Sequence, residues 1–169
     1  LFVDLDRFKL INDSLGHEAG DHLLREVTAR FRRTVRPADV VARVGGDEFV
    51  VLCPGLDDEE SVARVADRLS AVLTDPVDLP GARVVVSASI GVVHTSGRVE
   101  PTELLQDADL AMYDAKQRGR SRVAVFHDGT VLSQGETATV LGDRDMLHRA
   151  RLRSPLLLEL AQLLREAEG

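Results

Sequence analysis

Leu1-Phe2-Val3 is a short apolar run that stops at Asp4-Leu5-Asp6, the pattern of a strand with acids at its end. A polar stretch from Arg7 to Gly20 follows. From Asp21 the period changes, and Leu24, Val27, Thr28, Phe31 and Val35 share one helical face until Arg36-Pro37 stops the helix. Val40 to Val44 and Phe49 to Leu52 are β-rich runs around Gly45-Gly46-Asp47-Glu48, which predicts a β-hairpin. Pro54 to Glu60 reads as a loop into a second helix striped by Val62, Val65, Ala66, Leu69 and Leu73. A turn at Pro76 to Gly81 precedes one long strand from Arg83 to Val93. Thr102 to Arg118 predicts a third helix closed by Gly119, and Val123 to Phe126 a last strand. Beyond about His127 the pattern loosens through Gly129 to Gly142. A final amphipathic helix follows, with Ser154 as N-cap, Pro155 at N1 and a stripe of Leu156, Leu157, Leu160, Leu163 and Leu164. The alternation of elements with a central hairpin predicts an α+β fold, helices covering a mixed sheet. Residues 129–169 read as a linker and helix reaching toward another domain or a dimer contact.

Composition narrows the class. The 169 residues are 44% hydrophobic and 29% charged, enough apolar material for a packed core and too much for a disordered chain. No apolar run approaches the roughly 18 residues that span a bilayer, and no signal peptide is visible, so no membrane contact is expected from this segment. The single cysteine, Cys53, excludes an internal disulfide framework and reads as a small buried hydrophobe. A reducing, cytoplasmic setting is expected, compatible with a parent protein anchored to a membrane elsewhere. The balance of 21 basic against 28 acidic residues, a net charge of −7, argues against a nucleic-acid partner. Only Lys9 and Lys116 are lysines, so phosphate recognition would lean on arginine. Opening on Leu1 inside an apolar run, the chain is expected to be part of something larger.

Chemistry concentrates at a few places. Asp4 and Asp6 share one face of the first strand if it persists, and Asp47 and Glu48 stand at the hairpin tip. Were these elements neighbours, three or four carboxylates would converge, an arrangement that calls for a neutralising cation; all-oxygen ligands favour magnesium. Gly45 and Gly46 would let a polyphosphate approach the backbone. A plain turn and solvated strand ends account for the same residues. Lys116 and Arg120 suit either the helix C-terminal dipole or a phosphate. Asn12 and Asp21 read as a turn residue and a helix N-cap, and a carboxylate at Asp21 is equally suited to the N1–H and N2–H₂ edge of guanine. Arg36 and Asp39 read as a surface ion pair. No histidine has metal-ligand or triad spacing.

Taken together, Asp4-Leu5-Asp6-Arg7-Phe8-Lys9, Ile11-Asn12-Asp13, Gly16-His17, Gly20-Asp21, Arg43-Val44-Gly45-Gly46-Asp47-Glu48-Phe49, Ser89-Ile90-Gly91, Ala108-Asp109 and Tyr113 through Lys116 to Gly119-Arg120 resemble the GGDEF family of diguanylate cyclases. The resemblance covers about residues 1–127 and implies a domain at 1–128 with a mixed, largely antiparallel five-stranded sheet flanked by helices, akin to nucleotidyl cyclases. It implies that Asp4, Asp47 and the Leu5 carbonyl hold magnesium, with manganese as an alternative, and that Gly45, Gly46 and Glu48 complete the catalytic loop. It places guanine on Asn12 and Asp21, and the triphosphate on the Phe8-Lys9 backbone, Lys116 and Arg120. The implied reaction condenses two GTP into cyclic di-GMP and two pyrophosphates across an antiparallel homodimer, the proton acceptor being Asp47, Glu48 or solvent. Arg36-Pro37-Ala38-Asp39 resembles the family's RxxD product-inhibition site, with Arg68 as a secondary contact. The family's usual first helix would precede Leu1, and sensor or effector domains are expected in the parent chain. Two other readings stand beside the cyclase: a catalytically silent module binding GTP or cyclic di-GMP, and a leucine-striped tail that drives dimerisation.

Overall fold

The computed structural model describes residues 1–56, 59–95, 99–117, 122–127 and 130–136. In chain order these form β1 (Phe2–Leu5), α1 (Phe8–Leu15), α2 (His17–Thr34), β2 (Val40–Arg43), β3 (Glu48–Leu52), α3 (Glu59–Ala71), β4 (Val77–Leu79), β5 (Ala82–Val84), β6 (Ala88–Val93), α4 (Pro101–Gln117), β7 (Arg122–His127) and β8 (Thr130–Glu136). The main sheet runs β2-β3-β1-β6-β7-β8, and β4 and β5 pair separately. β1 is central and antiparallel to both β3 and β6, while β6 and β7 are parallel. Strands β2 through β7 of the main sheet are the mixed, largely antiparallel five-stranded sheet expected, and the fold is α+β. β8 adds a sixth strand on the β7 edge, within the stretch read as linker. Only Val131 and Leu132 are apolar there, too few for a period-two signal.

β1 alternates as a strand buried on both faces must. Val3 and Leu5 enter the main core with Leu23, Leu24, Val27 and Phe31 of α2 and Val65, Ala66 and Leu69 of α3. Phe2 packs on the opposite side against Ala108 and Met112 of α4. Helices α1 to α3 therefore cover one face of the sheet and α4 the other. The ring of Phe31 meets that of Phe49 edge-on, centroids 5.5 Å apart, tying α2 to β3. On the far face α4 lies almost directly on β6: a Cβ added at Gly91 would strike the Ala108 carbonyl and sit 2.5 Å from the Met112 amide nitrogen.

Two local expectations change. The polar stretch from Arg7 to Gly20 holds α1 and the start of α2, separated at Gly16 with φ +86°. α1 has eight residues and buries only Phe8, so its periodicity is too short to read. The single strand expected from Arg83 divides into β5 and β6, because β5 leaves the main sheet for β4 through a turn at Gly81, φ +83°. Arg30 of α2 steadies that excursion, donating to the carbonyls of Val72 at 2.9 Å, Asp75 at 2.5 Å and Pro76 at 2.9 Å. The leucine-striped segment after Ser154 and the helix-closing Gly119 lie outside the described residues.

Candidate active site

The site forms where β1 ends beside the β2–β3 hairpin. Asp4 pairs in register with Glu48 of β3 and Ser89 of β6, so facing side chains stand about 5 Å apart. The Leu5 amide donates to the Asp47 carbonyl at 3.1 Å, fixing the hairpin tip against β1. Within the hairpin the Val44 amide donates to the Glu48 carbonyl at 3.0 Å, and Arg43 Nε reaches back to the Gly46 carbonyl at 3.0 Å. A Cβ at Gly45 would land on the Glu48 carboxylate, whereas Gly46 faces open space.

Asp4 is only 1% exposed. Its Oδ2 accepts a hydrogen bond from Lys116 Nζ, in the last turn of α4, at 2.6 Å; its Oδ1 is buried with no hydrogen-bond partner. Burial pushes the Asp4 carboxyl above the usual range, the Lys116 hydrogen bond and charge oppose this, and the negative charges of Asp47 and Glu48 push it further up. Asp4, Asp47, Glu48 and Lys116 are thus brought together. Asp6 is not part of the group: it accepts from Ser87 Oγ at 2.6 Å and Ser89 Oγ at 2.8 Å. Among the described residues no three histidine, cysteine or acidic side chains lie at metal-binding spacing. Three of the expected carboxylates, Asp4, Asp47 and Glu48, are near one another, while the fourth, Asp6, is committed to the two serines. Asp4 and Asp47 with the Leu5 carbonyl are hard oxygen donors suited to magnesium. The buried, unsatisfied Oδ1 of Asp4 fits a cation, since such an acceptor is costly to leave unpaired.

After Asp6 the chain turns sharply through Arg7, a non-glycine residue in the left-handed region at φ 59°, ψ 22°. That conformation costs about 1 kcal/mol and is held because α1 must start at once. The first amides of α1, at Phe8 and Lys9, have no partner within the helix and carry its positive dipole end. Asn12 of α1 packs on Gly20 of α2, where a Cβ would overlap the carboxamide oxygen and approach Phe8 Cζ to 3.2 Å. Asp21 is the next residue; because α2 starts at His17, Asp21 lies inside the helix and is no N-cap. Gly20→Ala would press on the end of the half-buried Asn12 side chain and not on backbone. If Asn12 holds guanine, as the family resemblance implies, Gly20→Ala should raise the KM for GTP about tenfold at nearly unchanged stability, measured by initial rates and thermal denaturation on the same samples.

Arg36, Asp39 and Arg68 gather at the other end of β2. Asp39 Oδ2 accepts from the Arg36 amide at 2.9 Å and Nε at 3.4 Å, and Oδ1 from Nη2 at 3.1 Å. The Asp39 side chain is 0% exposed and that of Arg36 44%, and Arg36 Nη2 also donates to the Pro54 carbonyl at 3.4 Å. Burial alone would raise the Asp39 carboxyl; the Arg36 hydrogen bonds, with the charges of Arg36 and Arg68, outweigh it and hold the carboxyl below the usual range. Arg120 lies outside the described residues.

Sequence reasoning missed the Lys116–Asp4 contact, the two serines on Asp6 and the Arg43 brace. Arg43 sits next to the Val44-Gly45 turn, a signal that was available; the others join distant positions.

Residues 1–122 match the family described as diguanylate cyclase, GGDEF domain. Diguanylate cyclase TpbB of Pseudomonas aeruginosa is 44% identical over 138 residues, 79% of this chain and 32% of TpbB. The cyclic di-GMP phosphodiesterase NbdA of the same species is 42% identical over 127 residues, 75% of this chain and 16% of NbdA. The chain thus spans about a third of the first of these relatives and less of the second. The crystal structure of the TpbB GGDEF domain superposes with a TM-score of 0.71 at 42% identity, covering 75% of this chain and 80% of that one. The family match over residues 1–122, the identity to its members and the superposition agree: the chain belongs to the GGDEF family of diguanylate cyclase domains.

Proposed function

We propose that this domain condenses two GTP into cyclic di-GMP and two pyrophosphates, working as an antiparallel homodimer in the cytoplasm, where GTP is supplied. The observation that carries the reading is the buried Asp4 carboxylate, one oxygen unsatisfied, facing an intact Gly-Gly-Asp-Glu hairpin. Asp4, Asp47 and the Leu5 carbonyl would hold magnesium, or manganese in its place. When bound, the ion would polarise the α-phosphate and favour ionisation of the attacking hydroxyl.

The chain's own residues position the reactants. Asn12 and Asp21 hold guanine, and a carboxylate at Asp21 matches its two donors while facing the acceptor N1 of adenine unfavourably. The Phe8 and Lys9 amides take phosphate oxygens at the positive end of α1, assisted by Lys116 and Arg120. Gly45 and Gly46 admit the ribose and phosphates close to the backbone. Each 3′-hydroxyl oxygen bonds to the partner's α-phosphorus, the bond to the bridging β-oxygen breaks, and pyrophosphate departs. The hydroxyl proton passes to Asp47, Glu48 or water. Holding two nucleotides face to face supplies most of the acceleration.

The Arg36–Asp39 pair is the proposed feedback site: a guanidinium suits guanine or phosphate of the product, the Arg36 side chain is 44% exposed, and Arg68 lies alongside. The test is mass-spectrometric detection of cyclic di-GMP from GTP and magnesium, using the longest natural chain that carries this domain, stripped of bound product. Product should form, and Arg36→Ala should raise the inhibitory concentration of cyclic di-GMP about tenfold or more at similar initial rate. No product from the stripped protein would overturn the cyclase reading.

A second reading, a silent GTP- or cyclic di-GMP-binding module controlling an attached domain, is favoured by one observation, the similarity to a relative named as a phosphodiesterase. It predicts nucleotide binding without turnover in the same assay.

A further inference from the structure

Asp4 sits on the central strand with no freedom to move, and it holds one cation already. The ammonium of Lys116 lies 2.6 Å from Oδ2, while Oδ1 stays bare and Asp47 and Glu48 add negative charge close by. A divalent ion drawn to these oxygens would stand beside that ammonium, and two cations on one buried carboxylate repel strongly where water cannot screen them. One of the two must yield. Asp4 is pinned by pairing on both sides, to Glu48 and to Ser89. α4 is pinned too, because its backbone meets β6 at Gly91 too closely for even a methyl group. The Lys116 side chain is the movable part: a four-carbon stem at the end of α4, 30% exposed, with solvent within reach.

Resting on the magnesium reading above, we infer that Lys116 is the resident cation of the metal site and serves two anions in turn, Asp4 in the free domain and a nucleotide phosphate in the loaded one. Without nucleotide it keeps Asp4 paired and disfavours divalent ions. An arriving triphosphate supplies the second anion, draws the ammonium away and frees both oxygens of Asp4. The cation and the triphosphate therefore enter together, and Lys116 makes metal affinity conditional on nucleotide. In this role it is a positioning residue, acting on the metal through Asp4, in addition to its expected phosphate contact.

The test needs no turnover. Manganese binding to the nucleotide-free protein is titrated by electron paramagnetic resonance for wild type, Lys116→Met and Asp4→Asn. The methionine removes the charge and keeps the length; Lys116→Gln, which still offers Asp4 a neutral donor, serves if the methionine variant does not fold. Removing the ammonium should tighten manganese binding about tenfold, and manganese should raise the melting temperature of the variant more than that of wild type. Asp4→Asn in the Lys116 variant should cancel the gain. Binding no tighter than wild type in the folded Lys116 variant, with Asp4→Asn still weakening it, would overturn the role of Lys116 and leave the metal site standing. Manganese binding indifferent to Asp4→Asn in every background would overturn the metal site itself, and the inference with it.

Discussion

Asp4→Asn is expected to lower cyclic di-GMP synthesis by about a thousandfold or more, because the cation that would stabilise the transferring phosphoryl group loses its buried anionic ligand. The same variant should melt at the wild-type temperature or above it. Burial raises the Asp4 carboxyl, so the folded state is paying a cost to keep the group ionised, and that stability deficit grows as pH rises through its elevated value. The neutral amide is nearly isosteric and removes the deficit. Lys116, partly exposed, regains water when its partner is neutralised. Initial rates and thermal denaturation on the same preparation decide the matter. Activity within tenfold of wild type, or a melting temperature lower by more than about 5 °C, would make Asp4 a structural residue.

Gly91→Ala should have the largest effect on stability, about 2–4 kcal/mol lost in denaturant unfolding, with Gly91→Val failing to accumulate as folded protein. Gly91 is paired to Phe2 on one side and Ala124 on the other, so β6 has no room to retreat within the sheet. Across the interface its new Cβ meets backbone, the Ala108 carbonyl and the Met112 amide, and 3.0 Å away the Ala111 methyl. Relief requires α4 to lift as a body. The contrast with Gly20 is instructive, since there the obstructed atom belongs to the end of a side chain and not to backbone. Lifting α4 also withdraws Lys116 from Asp4, so residual folded Gly91→Ala should bind GTP weakly. A loss below about 1 kcal/mol would show that α4 adjusts more freely than its packing implies.

Much of this arrangement was legible in the residues. The stripe of Leu24, Val27 and Phe31 marks the buried face of α2, and the two β-rich runs around Gly45-Gly46 mark the hairpin. Identity and order of short motifs carried the family. What remained hidden depends on strand order. β1 lies between β3 and β6, neither adjacent to it in the chain, and only that placement brings Asp4 to Asp47 and turns Asp6 toward Ser87 and Ser89. Lys116 and Asp4 are 112 positions apart, beyond any periodicity. α1 escaped because a helix of two turns burying one side chain leaves no stripe. The polar run before Asp21 hides the start of α2 at His17, so a cap at Asp21 is what the residues alone suggest.

The central place of β1 also governs when the domain first becomes competent as it is made. β1 leaves the ribosome before both its neighbours, and its Phe2, Val3 and Leu5 have no sheet to join until β3 and then β6 have been synthesised. Pairings this distant along the chain are slow to form and come late in folding. Lys116 arrives later still, on α4. A nascent or half-folded chain thus holds no assembled cluster of Asp4, Asp47 and Lys116, and the site exists only once α4 has docked on β6.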